Sequence, residues 1–359
     1  MTDEFFMREA LLLAKNAEGR TNPNPMVGAV VVKDGRIISA GWHRQAGSPH
    51  AEIHALNMAG DLAAGAVLYV TLEPCSHFGR TPPCVNRIID AGIKKVVAAT
   101  VDPNPKVAGR GIKILRDAGI EVEVGVLEDE ALKLNETFFK WVTTGLPFVT
   151  LKFAASLDGK IATVGGQSKW ISCKESRQFV HKLRDVSAGI MVGVGTVLAD
   201  NPSLTARVDG GKNPVRIVAD SMARTPIDAR IVGDGQARTI IAVTESAPRD
   251  KVSALKHYGA EVITAGDGKR VDLKILMKKI AARDITSVLV EGGGTLNFSL
   301  LKSGLVDKVI AFIAPKILGG AALTAVEGAG FANLSDAITL KNFDVEKIGD
   351  DILISGYIK

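Results

Sequence analysis

Four side chains in a fixed order force separate segments of this 359-residue chain to converge. His50-Ala51-Glu52 is followed by Pro74-Cys75 and then by Pro83-Cys84. One imidazole and two thiols form a donor set that zinc accepts, and three protein ligands leave its fourth tetrahedral position open, as a catalytic rather than structural site requires. Zinc in such a site brings the pKa of a water toward neutrality, giving a nucleophile able to attack an amidine carbon. His50, Cys75 and Cys84 are therefore the expected metal ligands. Glu52, two residues after the first ligand, is the expected catalytic proton shuttle to leaving ammonia.

The pattern H-x-E followed by P-C-x-x-C is that of zinc deaminases, but here eight residues, 76–83, separate the cysteines. Two other readings stand beside the catalytic one. His54 or His77 as a fourth ligand would make a closed structural site, and the cysteines could be ordinary buried thiols near a core histidine. The joint occurrence of H-A-E, T-L-E-P-C and P-P-C at workable spacing favours the catalytic site.

Length favours two domains over one, and 46% hydrophobic with 23% charged residues is an ordinary globular composition. No apolar run approaches the ~20 residues needed to span a bilayer, and the acidic amphipathic start lacks the features of a secretory signal. With two of three cysteines assigned to metal, Cys173 is unpaired and no disulfide framework exists, as in a reducing cytoplasm. The formal charge of +5 is unevenly spread. Residues 1–146 hold 16 Lys/Arg against 17 Asp/Glu, and the remainder 28 against 22. The half bearing the deaminase pattern is thus not basic, which disfavours a polynucleotide substrate. The surplus positive charge suits a phosphorylated small molecule bound by the second half.

Apolar periodicity predicts an amphipathic helix over 5–17 behind an Asp3 cap, with Phe5, Phe6, Leu12, Leu13 and Ala17 as its apolar residues. A hairpin follows, 27–32 and 36–42 around an Asp34-Gly35 turn. Helices are expected at 51–59, 85–91, 111–118 and 129–141, and strands at 67–72, 96–101 and 120–124. Both halves of the zinc site then fall at helix starts, whose dipoles favour thiolate. A turn-rich boundary at 143–147 separates domains 1–146 and 147–359. Beyond it, strands at 148–155, 188–192, 215–219, 239–243, 261–264, 287–290, 308–314 and 352–358 alternate with helices at 174–185, 250–258, 273–282 and 297–302. This predicts a mostly parallel α/β sheet covered on both faces.

Three stretches of the second half look functional: 154–160, Gly193-Val194-Gly195-Thr196 with Asp200-Asn201-Pro202, and Glu291-Gly292-Gly293-Gly294-Thr295-Leu296. Glycine-rich helix starts suit a nucleotide phosphate, although tight turns alone would also use them. No G-x-G-x-x-G occurs where a Rossmann domain needs it.

The motifs N-P-x-V-G (24–28), H-A-E and T-L-E-P-C-S-H-F-G-R-T-P-P-C resemble the riboflavin-biosynthesis pyrimidine deaminases. K-F-A-A-S-L-D-G-K-I-A, S-K-W-I-S, G-V-G-T-V-L-A-D-N-P-x-L-T-A-R and V-E-G-G-G resemble the partnered reductases. The resemblance covers nearly the whole chain. It implies a cytidine-deaminase-like N-terminal domain with one Zn2+, and a dihydrofolate-reductase-like C-terminal domain using NADPH. It also implies a phosphorylated pyrimidine substrate, no nucleic-acid or membrane partner, a cytoplasmic enzyme and a homo-oligomer. By motif position, Asn24, His43 and Arg80 should meet the deaminase substrate, with Arg80 on its ribose phosphate unless it is only a solvated loop charge. NADPH contacts are implied at Ala154, Trp170, Thr196, Asp200, Ser221, Gly293, Gly294, Thr295, Leu296, Asn297, Phe298 and Ser299, although Trp170 also reads as a core aromatic. The reductase substrate should meet Ser168, Arg184, Leu204, Arg207 and, near the sugar, Glu291. Lys152, Asp158 and Glu291 are the ionisable groups available for the proton steps. The competing functions are a nucleic-acid deaminase with an accessory binding domain, and a lone deaminase whose second domain binds nucleotide as a regulator.

Overall fold

The computed structural model describes residues 1–76, 82–104 and 107–359, which fall into two units, Met1–Gly145 and Leu146–Lys359. Arg80 and His77 lie outside the described residues. No helix among the described residues is long and apolar enough to cross a membrane.

The first unit opens with α1 (Asp3–Lys15), capped by Thr2 rather than Asp3: the Thr2 hydroxyl accepts from the Phe5 amide at 3.3 Å. Its buried stripe is Phe6, Met7, Ala10, Leu11 and Ala14, while Phe5 and Leu12 face solvent. The expected apolar face is thus rotated, because small alanines mark the side that lies close to the sheet. Strands β1 (Gly28–Lys33) and β2 (Arg36–Trp42) form the hairpin. Asp34 (φ 51°) and Gly35 (φ 72°) both sit in the left-handed region, as a two-residue primed turn requires. There follow α2 (Ala51–Ala59), β3 (Val67–Val70), α3 (Cys84–Asp90), β4 (Lys95–Ala98), α4 (Arg110–Asp117) and β5 (Glu121–Val124). The sheet order is β2-β1-β3-β4-β5, with β3, β4 and β5 parallel.

Strand alternation divides the core between two faces. Val31, Leu68, Val70 and Val96 pack with Leu56, Ile88 and Leu115 on one side. Val30, Val32, Tyr69 and Val97 pack with Phe6, Met7 and Leu11 on the other.

The single helix expected at 129–141 is instead two, α5 (Glu128–Leu134) and α6 (Glu136–Thr144), broken at Asn135 (φ −110°, ψ 23°). Buried Asn135 is engaged elsewhere: its Nδ2 donates to Met26 O and the Met26 amide donates to its Oδ1, both at 2.8 Å. Two such bonds pin the segment beside Asn24 and override helix periodicity.

The second unit begins with β6 (Phe148–Ser156), α7 (Lys174–Val186), β7 (Gly189–Gly193), α8 (Val194–Asp200), β8 (Val215–Ala219) and α9 (Arg230–Gly233). It continues with β9 (Thr239–Val243), α10 (Arg249–His257), β10 (Glu261–Thr264), α11 (Leu273–Ala281), β11 (Ser287–Val290) and α12 (Gly294–Lys302). It ends with β12 (Lys308–Ala314), β13 (Leu340–Ile348) and β14 (Asp351–Ile358). The order is β10-β9-β8-β7-β11-β6-β12-β14-β13, parallel as far as β12 and antiparallel thereafter. Strand β13 was not expected from the sequence because it is an edge strand exposed along most of its length, with no burial alternation to betray it. Neighbouring β7 and β11 each run into a glycine turn and a helix start, so the carboxyl ends of the central strands form one rim.

Replacing Asn135 with Ala leaves the Met26 amide and carbonyl without that partner. Denaturant unfolding of the first unit should show a loss of about 2–3 kcal/mol, and an unchanged midpoint would mean that water or a rearranged loop answers both groups.

Candidate active site

His50 is the residue before α2, Cys84 is the first residue of α3, and Cys75 follows the carboxyl end of β3. The fold therefore brings all three predicted ligands together. Cys84 Sγ lies 3.2 Å and Cys75 Sγ 3.5 Å from His50 Nδ1, and the three donor atoms are mutually within 4.8 Å. Zinc–nitrogen and zinc–sulfur bonds of about 2.0 and 2.3 Å at tetrahedral angles require nitrogen–sulfur separations of about 3.5 Å, so the donor set fits. The hydrogen bond from Cys84 holds the Cys75 thiol down at about 4, whereas Cys84, facing Cys75 and buried, is pushed above the ordinary thiol range. Two thiols facing one imidazole are a donor set whose protons a bound cation would displace. His54 does not join this cluster, so it does not complete a closed site.

Of the three donors, His50 and Cys75 face a cavity of about 350 Å³ that is also lined by Asn24, His43, Glu52 and Asp102, with Phe138 and Trp141 among its apolar walls, while Cys84 lies buried behind it. Glu52 is buried there, and burial pushes its carboxyl up despite the opposing His50. His43 Nδ1 lies 3.1 Å from Pro49 O and must donate to it, leaving Nε2 to accept from Asn24 Nδ2 at 3.1 Å. Burial lowers the His43 pKa, in keeping with a neutral ring. Sequence reasoning paired neither these two residues nor their tautomer. It also passed over Glu73, whose Oε2 accepts from the Asp102 and Gly109 amides and Oε1 from those of Gly111 and Ile112, at 2.8–3.3 Å. The only signal was the glutamate inside T-L-E-P-C.

In the second unit, Glu291 follows β11 and is held by a bidentate pair with Arg184, at 2.7 Å to Nε and 2.9 Å to Nη2. Lys152 Nζ stands 3.7 Å away. Burial opposes the Glu291 charge, but the two cations outweigh it and hold the carboxyl at about 2. Burial lowers the Lys152 pKa against the attraction of Glu291. The remaining Arg184 donor group, Nη1, bonds Thr205 O at 3.1 Å, so any phosphate at Arg184 competes with internal partners. Leu204 is buried and Arg207 exposed, both at left-handed φ (54° and 53°) on either side of that carbonyl. Asp158 anchors a loop instead of facing this cluster: Ser156 Oγ and the Leu318 and Gly319 amides donate to it and keep its carboxyl at about 2.

The predicted cofactor positions spread along the rim. Ala154 is half-buried on β6, Ser168 is half-buried, and Trp170 is an exposed ring, not a core aromatic, with the Arg177 guanidinium 4.6 Å from its centroid. Thr196 lies in the first turn of α8 and Asp200 ends it. Ser221, just past β8, accepts the Val271 amide on its Oγ at 3.0 Å. Gly293 caps α12, and Gly294 and Thr295 present first-turn amides that have no intrahelical acceptor. Leu296, Asn297 and Phe298 are buried, and Asn297 Nδ2 donates to Ala325 O, so those side chains serve the core. Ser299 Oγ returns its hydrogen to Thr295 O. The glycines differ in kind. A Cβ on Gly294 would overlap Glu327 Cγ and lie 2.7 Å from Thr324 O, whereas one on Gly293 would meet only Thr196 Oγ1, at 3.8 Å.

Comparison with known proteins follows the same division. Residues 1–100 match the cytidine and deoxycytidylate deaminase zinc-binding region, and residues 147–354 match the RibD C-terminal domain. The chain is 46% identical over 353 residues to the riboflavin biosynthesis protein RibD of Aquifex aeolicus, covering 98% of this chain and 97% of that one. It is 43% identical over 368 residues to RibD of Escherichia coli, covering 99% of each. Among solved structures, Acinetobacter baumannii RibD (form 1) aligns with a TM-score of 0.91 at 39% identity over 99% of both chains. A Thermotoga maritima diaminohydroxyphosphoribosylaminopyrimidine deaminase/5-amino-6-(5-phosphoribosylamino)uracil reductase aligns with a TM-score of 0.88 at 41% identity, again over 99% of both.

A carboxyl depressed in the folded state contributes stability above its unfolded pKa and loses it as pH falls through the folded value. For Glu291 that window runs from its ordinary value of 4.5 down to about 2. The Glu291→Gln variant should be less stable than the parent at pH 7 by on the order of 2–3 kcal/mol. The gap should shrink steadily between pH 5 and pH 3 in chemical denaturation, and a pH-independent gap would exclude the ion pair as its origin.

Proposed function

The chain belongs to the RibD family, and we propose that Glu52 moves the protons of its deamination step while Lys152 and Glu291 flank the reacting sugar in its reduction step. It is a bifunctional enzyme of riboflavin biosynthesis, a zinc-dependent pyrimidine deaminase and an NADPH-dependent reductase. The observation that carries the deaminase assignment is a buried carboxyl, Glu52, on the wall of the cavity that His50 and Cys75 of the three-donor cluster also line.

Diaminohydroxyphosphoribosylaminopyrimidine is the substrate of the first step. Water adds to the amino-bearing ring carbon, and ammonia leaves. Zinc held by His50, Cys75 and Cys84 would supply Lewis acidity and an acidified water. Glu52, its pKa raised by burial, takes the proton of the attacking water and returns it to the departing nitrogen. His43, fixed by the Pro49 carbonyl, orients Asn24, whose remaining amide hydrogen and carbonyl are suited to the pyrimidine edge. Arg80 is assigned to the ribose phosphate for its charge and its place between the two cysteines.

In the second step the ribosylamine opens to an imine, the sugar carbon gains a hydride, and the nitrogen gains a proton. NADPH is the hydride source. Lys152, partly buried and with a pKa lowered by desolvation, is suited to deliver the proton. Glu291 stays ionised and orients Lys152 and Arg184. Arg207, exposed beside Leu204, meets the sugar phosphate with Ser168. The first-turn amides of α12 receive a cofactor phosphate. Ala154, Trp170, Thr196, Asp200 and Ser221 complete the cofactor rim.

Two substitutions test these roles. Glu52→Gln should retain stoichiometric zinc by elemental analysis and reduce the deaminated compound normally, while ammonia release falls by roughly 10²–10⁴-fold or more; zinc loss in this variant would reassign Glu52 as a ligand. Gly293→Val adds a side chain where the protein itself leaves room, so the thermal midpoint should hold while the KM for NADPH rises at least tenfold, on the order of 1.4 kcal/mol. Normal NADPH affinity in the folded variant would remove this turn from the cofactor site.

A further inference from the structure

We infer that Glu73 is a positioning residue of the deaminase site, locking the Cys75 turn, the start of α4 and the adjoining cavity wall at Asp102 into one rigid piece through four backbone amides. The inference rests on the reading that His50, Cys75 and Cys84 hold zinc. Helix α4 starts without a cap of its own, because its N-cap residue is Gly109, which has no side chain to offer. Its orphan amides need an acceptor. Glu73 supplies one from 36 to 39 residues away, accepting from the amides of Gly109 at 2.9 Å, Gly111 at 2.8 Å and Ile112 at 3.3 Å. The partial positive charge of the helix start favours a carboxylate there.

The fourth bond reaches a different element. Asp102 N donates to Glu73 Oε2 at 3.2 Å, and Asp102 Oδ1 then accepts from the Asn104 amide at 2.8 Å. Asp102 and Asn104 both line the cavity. The Glu73 backbone is tied as well, its amide donating to Thr100 O at 2.9 Å beyond the end of β4. Two residues later the chain presents Cys75. On the helix side, Gly111 fits the Pro74–Cys75 turn so closely that a Cβ there would overlap Pro74 O and come within 3.1 Å of Glu73 Oε1. Both oxygens of Glu73 are filled by amides, although the residue borders the same cavity as Glu52. It is therefore placed to hold geometry, with Glu52 left to move protons. Groups that orient metal ligands from behind change metal affinity roughly 10–100-fold when removed.

The test measures zinc affinity of the full-length chain by competition with a chromophoric chelator, alongside KM and kcat for ammonia release. Glu73→Gln puts an NH2 where an oxygen now accepts amide hydrogens. It should weaken zinc roughly 10–100-fold, and with zinc in excess kcat should recover while KM stays raised. Gly111→Ala keeps the carboxylate but pushes the Pro74 carbonyl away, and should weaken zinc in the same way. If Glu73→Gln does not fold, as judged by circular dichroism, the zinc affinity of Gly111→Ala decides the question. Reductase activity should be unchanged in both. Folded variants with lowered thermal midpoints but parental zinc affinity and KM would overturn the inference, leaving Glu73 a purely stabilising group. A parental chain that binds no zinc would instead refute the metal-site reading beneath it.

Discussion

A carboxyl group withdrawn from water must be answered by donors or give up its charge, and three glutamates in this chain, Glu52 and Glu73 buried and Glu291 partly so, meet that constraint in three ways. Glu73 is answered by four backbone amides. Glu291 is answered by a bidentate guanidinium and a nearby ammonium, which together outweigh burial and keep it ionised. Glu52 lacks compensation of that strength, and burial raises its pKa. The residue type is the same each time, and the number and kind of donors decide the role. Burial raises the proton affinity of Glu52, in keeping with the transfer role proposed for it, while Glu73 holds a turn and Glu291 holds two cations.

Each unit, taken by itself, puts its chemistry where parallel strands end and helices begin. In the first, β3 delivers Cys75, and the starts of α2 and α3 deliver His50, Glu52 and Cys84. In the second, β7 and β11 lie side by side and lead into α8 and α12. Helix starts bring unsatisfied amides and a favourable dipole for thiolate, carboxylate or phosphate. The first unit uses that property to steady Glu73 and the thiols, and the second leaves it open at Gly293. Two of the three consecutive glycines at that turn differ in the space around them. Gly294 has none of the room a side chain needs, whereas Gly293 faces open space.

Much of this was legible in the sequence because it depends on local chemistry. The donor set His50, Cys75, Cys84 and the carboxyl of Glu52 are fixed by residue type and motif. The inner strands β8, β9, β11 and β12 read at their observed bounds because buried parallel strands are continuous apolar runs, and the short edge strand β10 did so as well. Even the primed turn at Asp34-Gly35 is a two-residue property. Periodicity failed where a side chain had a distant engagement. Asn135 breaks a helix because Met26, 109 residues earlier, takes up its amide. Strand β13 escaped notice because an exposed edge needs only backbone pairing with β14.

The sequence by itself thus determined most of the strands and helices and which atoms are available to bind metal or carry protons, since those follow from side-chain chemistry and near-neighbour periodicity. Tertiary structure alone decided what each shared residue type does. The Arg184–Glu291 pair joins residues 107 apart, and Glu73 finds its amides 29 to 39 residues further on. Such pairings carry no periodic or spacing signal, because a hydrogen bond closed across the fold depends on where two segments are packed. That packing also set which arginine donors are already taken, which glycine has room for a side chain, and which carboxyl lies on the cavity wall with its pKa raised by burial.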